Sequence, residues 1–367
     1  MRFRVSQEAL EKELQFLQGV AEKKKTIPIL SNILLHAEKE FLQLAATDLE
    51  VSLTGGCAAV VEDDGGITVS AKKLFEVVRA LPAGEIEASL AEGNWLEISC
   101  GNAFFRLVGL PVEDFPEVPR NDFATSVKID HAVFKEIIGR TIFAVTQEDA
   151  RYALNGALLE MGEGTARMVA TDAHRLALVE VPLEEETPEV KAIVPKKTLS
   201  ELRTLGDGEE MLFAQDDHHL YFQIGHRTLA TRIIEGQFPS YEKVVPEGNP
   251  IRVTFDRNAM AGAIRRVSLL ASERSRAIRF LFAEKEATIS SSNPELGEAK
   301  ESVAIQYEAE EMEISFNAQY ILDFLAAGST EKVEFHLKDP ASQGLLLPSG
   351  TEDGGYIYRY VVMPMRM

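Results

Sequence analysis

Landmarks of the sequence recur about every 120 residues, and this threefold repetition constrains the fold more than any other feature. A large apolar residue followed by proline recurs at spacings of 123 and 125 residues, at Phe115-Pro116, Phe238-Pro239 and Met363-Pro364. A polar pair recurs in the same order, at Thr47-Asp48, Thr171-Asp172 and Ser292-Asn293. We therefore predict three similar domains, over residues 1–121, 122–248 and 249–367.

The pattern of apolar residues is the same in each repeat and predicts both helices and strands. A short alternating strand precedes a first helix in each repeat, and these helices are predicted over Gln7–Leu17, His131–Phe143 and Asn258–Ala271. Second helices are predicted to begin after Ser70, Pro195 and Asn317, which are residue types common at helix starts. Short runs such as Ile33–Leu35 and Trp95–Ser99 predict several strands per repeat. The predicted fold class is α+β, with more strand than helix.

Composition indicates a cytoplasmic protein. The 367 residues include only two cysteines, Cys57 and Cys100, which fit a reducing compartment better than a disulfide framework. No run of about 18 apolar residues is present, so no membrane span is expected. The first residues carry charges where a secretory signal would need an apolar stretch.

The distribution of charge allows a local contact with nucleic acid. The formal net charge is −20, which excludes a uniformly basic nucleic-acid binder. The six predicted helices nevertheless sum to +3, so the strands and loops carry −23. Helices gathered on one side would form a mildly positive face, able to follow phosphates without binding them tightly.

Catalytic and metal-binding motifs are weak or missing, so the sequence indicates binding rather than catalysis. No phosphate-binding loop, dinucleotide fingerprint, nucleophile elbow or zinc-protease motif occurs. His218, His219 and His226 could be proposed as metal ligands, but adjacent histidines on a strand point to opposite faces. Asp172 and His174 resemble part of a catalytic dyad, but no nucleophile accompanies them. We expect no catalytic residues, metal or cofactor.

Several segments, distributed from end to end of the chain, resemble the bacterial DNA polymerase III beta subunit family, the sliding clamps. These segments are Ile27–Leu35, Ala46–Glu50, Arg151–Gly156, Ala170–Ala177, Gly236–Tyr241, Ser292–Glu295 and Tyr360–Met367. The resemblance implies a DNA polymerase processivity factor without enzymatic activity, built from three repeated clamp-type domains. It also implies a head-to-tail homodimer that forms a six-domain ring around duplex DNA, independent of base sequence.

The resemblance further implies a cleft between the second and third domains that binds short linear peptides. The expected partners are the DNA polymerase III alpha subunit, the clamp loader, other polymerases and repair factors, with no membrane partner. The cleft residues carried over are Leu154, Thr171, His174, Arg175, Leu176, Pro239, Lys243, Val244, Val361, Val362, Met363, Pro364, Met365 and Arg366. An apolar pocket would take hydrophobic anchors, and Arg175 and Arg366 could donate hydrogen bonds to peptide carbonyls.

Two further sets of residues are implied by the resemblance. The DNA-facing positions are Lys24, Lys72, Tyr152 and Lys197. The dimer interface would use Phe105 and Leu107 against Leu269 and Leu270, with Lys73 facing Glu298 and Glu301. The sequence departs from the family pattern at Glu148, which would repel phosphate, and at Ala153, Ala173 and Met367 near the cleft.

Two other functions fit parts of the sequence. An acidic, strand-rich scaffold could bind peptides without ever encircling DNA, and such a protein would be monomeric. A hydrolase using Asp172 and His174 would need a nucleophile that the sequence does not reveal.

Overall fold

Two long antiparallel sheets organise the chain, one in each of two compact units of the computed structural model. The structure describes residues 1–21, 27–146, 149–183, 187–206, 210–350 and 355–366. Unit 1 comprises residues 1–135 and 197–233, and unit 2 comprises residues 136–196 and 234–367. Each unit therefore contains one terminal repeat and part of the central repeat.

Unit 1 is built on a sheet of 13 strands among its described residues. Its strands are β1 (Arg2–Ser6), β2 (Asn32–Glu38), β3 (Phe41–Thr47), β4 (Val51–Ala58), β5 (Val60–Asp63), β6 (Gly65–Ser70), β7 (Glu85–Ala91), β8 (Trp95–Cys100), β9 (Ala103–Leu110), β10 (Val127–Asp130), β15 (Glu210–Gln215), β16 (His219–Ile224) and β17 (Arg227–Arg232). Their order across the sheet is β10-β15-β16-β17-β4-β3-β2-β6-β9-β8-β7-β1-β5. The helices α1 (Gln7–Val20) and α2 (Ala71–Ala80) pack against each other.

Unit 2 repeats this plan with a sheet of 12 strands in its described part. Its strands are β11 (Gly156–Gly162), β12 (Thr165–Thr171), β13 (Arg175–Pro182), β14 (Val190–Pro195), β18 (Ile251–Asp256), β19 (Ala277–Ala283), β20 (Glu286–Asn293), β21 (Gly297–Gln306), β22 (Met312–Asn317), β23 (Lys332–Leu337), β24 (Gly344–Pro348) and β25 (Ile357–Val362). Their order is β14-β11-β12-β13-β25-β24-β23-β18-β21-β20-β19-β22. Here α5 (Arg257–Val267) packs against α6 (Ala318–Ala327). The α+β fold class, with more strand than helix, is confirmed.

The chain passes between the units three times: within α3 (His131–Gly139), at the start of α4 (Lys196–Leu202) and between residues 233 and 234. The sequence predicted all six helices, and capping side chains explain where two of them begin. Side chains of Ser70 and Asn317 accept hydrogen bonds from the first turns of α2 and α6. Two predicted helices are shorter than expected, because α3 and α5 each give way to a 3-10 turn, at Ile142–Ala144 and Ser268–Leu270.

Each long sheet is continuous because a strand of one repeat pairs with a strand of the next repeat. In unit 1, β4 pairs with β17 from Val51 opposite Thr231 to Thr54 opposite Thr228. In unit 2, β13 pairs with β25, beginning with Arg175 opposite Val362. We call these contacts the first and second junctions. Their backbone hydrogen bonds satisfy strand edges that would otherwise be open to other chains.

A buried ion pair accompanies the first junction. Both carboxylate oxygens of Glu13, on α1, accept hydrogen bonds from the Arg227 guanidinium, at 3.1 and 2.6 Å. The guanidinium also stacks on the Phe16 ring, with its Cζ 4.2 Å from the ring centroid. Glu13 and Arg227 are both buried. Burial and the neighbouring Glu13 carboxylate raise the pKa of Cys57 to about 12, so this thiol stays protonated.

The arginine at the second junction is Arg140, which pairs with Glu136 of α3 at 2.7 Å and also contacts aromatic rings. The buried Arg140 lies beside Tyr356 and Tyr358, with its Cζ 5.0 and 5.5 Å from their ring centroids. The Tyr358 hydroxyl donates a hydrogen bond of 3.0 Å to the Arg140 carbonyl. The two junctions therefore share strand pairing but differ in the side chains that support it.

Replacing Glu13 by alanine should destabilise unit 1, because the Arg227 guanidinium would remain buried without its carboxylate. We expect Glu13→Ala to lower the free energy of unfolding by about 3–5 kcal/mol, measured by urea denaturation. Gln15→Ala is the control, since Gln15 is an exposed residue of the same helix. An equal effect of the two substitutions would contradict a stabilising role for the ion pair.

Candidate functional site

A mainly apolar cavity of about 180 Å³ opens on unit 2 beside the second junction. The cavity is lined by Leu154, Thr171, Ala173, His174, Arg175, Leu176, Pro239, Tyr241, Val244, Val361 and Met363. Most of these residues are among those that the sequence resemblance assigned to a peptide cleft. Two further residues line the cavity: Ala173, which the sequence marks only as a departure from the family pattern near the cleft, and Tyr241, which was not predicted.

The turn between β12 and β13 shapes one wall of the cavity. The Thr171 hydroxyl donates to the Arg175 carbonyl at 2.6 Å and accepts from the Ala173 N–H at 3.1 Å. One oxygen of Asp172 accepts from the N–H groups of His174 and Arg175, both at 3.0 Å. These local bonds place His174 at the edge of the cavity, and they explain why a threonine–aspartate pair occurs here.

The same turn forms in the first repeat, between β3 and β4. Thr47 and Asp48 make the corresponding bonds, including 2.7 Å from the Val51 N–H to Asp48 Oδ1. Ala173 and its counterpart Leu49 adopt φ of 74° and 77°, in the left-handed region that favours glycine. The recurring Thr-Asp landmark is therefore a recurring structural turn.

Arg175 fastens the cavity wall to other parts of unit 2. Its guanidinium donates to Asp172 at 3.0 Å, to Asp323 of α6 at 2.5 Å and to the Phe143 carbonyl at 2.6 Å. It also stacks on Tyr320, with Cζ 4.4 Å from the ring centroid. Three of the five N–H donors of this guanidinium are thus engaged within the chain, so Arg175 holds the site in shape, and its expected role as a donor to peptide carbonyls stays a prediction.

Tyr241 forms another wall and is fixed by a polar network. Its hydroxyl donates to Glu160 at 2.6 Å and accepts from Arg167 at 3.0 Å. Burial and the Glu160 carboxylate raise the pKa of Tyr241 to about 12, so the hydroxyl remains a donor. The Arg167 guanidinium also bonds to Glu180. The ring therefore presents a rigid apolar surface to the cavity.

The C-terminal segment closes the cavity on the side of β25. The Met363 N–H donates to the His174 carbonyl at 2.9 Å, and the Met365 N–H donates to the Ser315 carbonyl at 2.8 Å. Met363 lines the cavity and is 36% exposed. Val362 is fully buried. The remaining cleft candidates lie outside the cavity lining: Lys243, Pro364, Met365 and Arg366.

Comparisons with known proteins agree along the whole chain. The chain matches the three domains of the DNA polymerase III beta subunit: the N-terminal domain over residues 1–119, the central domain over 128–240 and the C-terminal domain over 242–366. The chain belongs to the DNA polymerase III beta subunit family. The resemblance drawn from the sequence motifs is thereby confirmed.

Individual relatives cover the chain completely. A beta sliding clamp of Pseudomonas putida is 38% identical, and one of Escherichia coli is 34% identical, each over 100% of both chains. The crystal structure of the DNA polymerase III subunit beta from Pseudomonas aeruginosa is 37% identical, with a TM-score of 0.92 over 100% of both chains. The chain is thus a sliding clamp, a non-catalytic processivity factor of DNA polymerase III.

Family membership and the local structure decide against the hydrolase and metal-site alternatives. The hydrolase hypothesis fails because the family is non-catalytic, and Asp172 serves the turn and Arg175. The proposed metal ligands His218 and His219 lie at a hairpin turn, where their N–H groups bond to Asp216. Within the described ranges, no group of three or more His, Cys, Asp or Glu side chains could hold a metal ion. No helix in the same ranges is long and apolar enough for a membrane span.

The candidate DNA-facing residues differ in their exposure and in the contacts that they make within the chain. Lys72 is exposed on α2, 3.8 Å from Glu76, and Tyr152 is also exposed. The Lys197 ammonium donates to Asp48 and to the Val20 carbonyl, each at 2.5 Å. Lys197 therefore has less of its charge available for phosphate than Lys72. Lys24, like Glu148 and Met367, lies outside the described residues.

The candidate interface residues are accessible on both sides. Phe105 and Leu107 lie on β9, and Leu269 is 77% exposed beside the half-buried Leu270. Within the chain, Lys73 pairs with Glu76 at 2.7 Å. The charged candidates on β21 are the exposed Glu298, which accepts from Ser292, and Glu301, which pairs with Arg266.

Ala173→Gly should stabilise the chain, because glycine adopts a φ of 74° without the cost imposed by a Cβ atom. We expect the free energy of unfolding to rise by about 1 kcal/mol in urea denaturation. The matched control is Ala80→Gly at the end of α2, where the ordinary helical φ should make the same change destabilising. A loss of stability in both variants would show that Ala173 is not strained.

Proposed function

We propose that two copies of this chain form a closed ring around duplex DNA and tether polymerases through the cavity of unit 2. The observation that carries this proposal is the pair of strand edges left open in the terminal repeats. Within the described residues, the outer edge of β9 has no strand partner along Ala103–Val108. The corresponding edge of β21 has none along Gly297–Ala304.

These open edges are equivalent to the edges already joined in the two junctions. The strand that follows the Thr-Asp or Ser-Asn turn is β4, β13 or β21 in the three repeats. The last strand of each repeat is β9, β17 or β25. Because β4 pairs with β17 and β13 pairs with β25, the remaining combination is β21 with β9 of another copy.

Such a contact joins two different surfaces and is therefore head-to-tail. The ring closes after two copies, as the resemblance to the family implies, and contains six domains. The apolar candidates Phe105 and Leu107 on β9, and Leu269 and Leu270 beside β21, supply the surface that this third junction would bury.

The cavity of unit 2 suits a short peptide that inserts a hydrophobic side chain. Its floor is apolar, and the His174 and Met363 side chains flank the opening. Motifs of this kind would come from the DNA polymerase III alpha subunit, the clamp loader, other polymerases and repair factors, all acting in the cytoplasm. Because one short motif would fill the cavity, different partners that carry such a motif would compete for this site.

Retention on DNA would come from encirclement rather than from strong contacts. With a net charge of −20, the chain relies on a few cationic groups such as Lys72 on its helices. Loose contacts with phosphates carry no sequence information, so the ring can slide.

The decisive experiment compares retention on circular and linear DNA after loading by a clamp loader with ATP. We expect the chain to remain on circles and to run off when the circle is cut. Equal retention before and after cutting would mean ordinary surface binding, as for a scaffold that never encircles DNA, and would overturn the ring.

The peptide site can be tested with Met363→Ala, which removes an apolar side chain from the cavity opening. We expect affinity for a clamp-binding peptide to fall by about 1–2 kcal/mol, the scale of an interface truncation, in a calorimetric titration. The control is Ile357→Ala on β25, since Ile357 is similarly exposed but does not line this cavity. Unchanged affinity in Met363→Ala would contradict the site.

A further inference from the structure

The outer face of β9 exposes side chains that the described parts of the chain leave largely uncovered. Phe104 and Val108 are 61% and 64% exposed. Arg106 lies between them on the same face, with its Nε 3.3 Å from Glu97 and its Cζ 4.9 Å from the Trp95 ring centroid. An exposed stripe of this composition, on a strand with an open edge, is typical of an interaction surface.

Cross-strand pairing shows which residues of β4 and β21 are equivalent. In the β3–β4 hairpin, Thr47 of the recurring landmark lies opposite Ser52. In the β20–β21 hairpin, Ser292 of the same landmark lies opposite Glu298. Glu298 therefore occupies in the third repeat the position that Ser52 occupies in the first.

The same comparison relates β9 to β17. Both hairpins have two-residue connections, from Cys100 to Ala103 and from Ile224 to Arg227. In the first hairpin Glu97 lies opposite Arg106, and in the second Tyr221 lies opposite Ala230. Arg106 is thus the counterpart of Ala230.

These equivalences fix the register of the third junction, because Ser52 lies opposite Ala230 in the first junction. We propose that Arg106 of one copy lies opposite Glu298 of the second copy, and that this ion pair selects the register in which the clamp pairs with itself. Arg106 would then be flanked by two carboxylates, since Glu97 lies on its other side. The inference rests on the head-to-tail dimer proposed above.

The neighbouring positions of the same register are complementary as well. Val108 would face Leu296, which is 56% exposed within its own chain. Phe104 would face the exposed Lys300, whose aliphatic stem and ammonium can both contact an aromatic ring. An apolar pair, an ion pair and a cation–aromatic pair follow one another along the strand.

In this register, the N–H of Val108 would donate to the carbonyl of Leu296 in the other copy, and both existing junctions contain the equivalent backbone hydrogen bond. The Arg232 N–H donates to the Glu50 carbonyl at 2.8 Å in the first junction. The Met363 N–H donates to the His174 carbonyl at 2.9 Å in the second. Arg232 and Met363 each directly follow the last paired residue of their strand. Val108 is the residue of β9 that is equivalent to both.

Charge reversal tests the register with two singly substituted chains. Arg106→Glu and Glu298→Arg should each weaken the homodimer by at least about a hundredfold in sedimentation at decreasing concentration, because like charges meet at both junctions. Mixing the two variants should restore a dimer of near-original affinity, since one junction then pairs Glu with Arg and the other is unchanged. Failure of the mixture to dimerise would overturn the register.

Two further variants separate this inference from the dimer itself. Arg279→Glu is the control, because Arg279 is an exposed strand arginine that is likewise paired with a glutamate of its own chain. Leu269→Asp should dissociate the dimer in any register, since Leu269 belongs to the apolar part of the interface. If Leu269→Asp dissociates the dimer but charge reversal does not, the register is wrong and the dimer stands. If Leu269→Asp leaves the dimer intact, the proposed interface is wrong.

Discussion

Backbone pairing between strands of successive repeats is the constraint on which the rest of the structure depends. Such pairing uses N–H and C=O groups that every residue supplies, so it can be repeated without repeating side chains. The side chains behind each junction are then free to diverge, and Glu13 with Arg227 supports the first while Arg140 supports the second. In the terminal repeats, the equivalent edges of β9 and β21 have no such partner along most of their length within the described residues, and open edges of this kind are where another chain can pair.

The sequence predicted those features that arise from contacts close in the chain. The turn at Thr171 and Asp172 depends on bonds spanning four residues or fewer, so its residue pair recurs visibly. The bond from Arg175 to Asp323 joins residues separated by 148 positions, and no local pattern signals it. At Ala173 the sequence shows only that alanine stands where the family commonly has glycine. The positive φ of 74° is imposed by the turn and is not predicted from the residue type.

One sequence landmark is structurally unequal to its counterparts. Phe238 lies six residues beyond the end of β17 at Arg232, whereas Met363 directly follows β25. The similar spacing in sequence arises because the β24–β25 connection is longer than the two-residue connection before β17. As a result, Met363 occupies the strand position of Arg232, and this places a methionine rather than an arginine beside the cavity.

The same place on the outer face is filled differently at the two junctions, which explains the cavity beside the second junction. At the second junction, Leu176 lies opposite Val361 and both line the cavity. At the first junction, the equivalent pair is Ser52 and Ala230, and Phe123 packs on the cluster that contains Ala230. Phe123 adopts a φ of 57°, a conformation that is costly for a large side chain. The segment between β9 and β10 therefore accepts backbone strain at Phe123, whose aromatic ring covers the surface that is equivalent to the open cavity at the second junction.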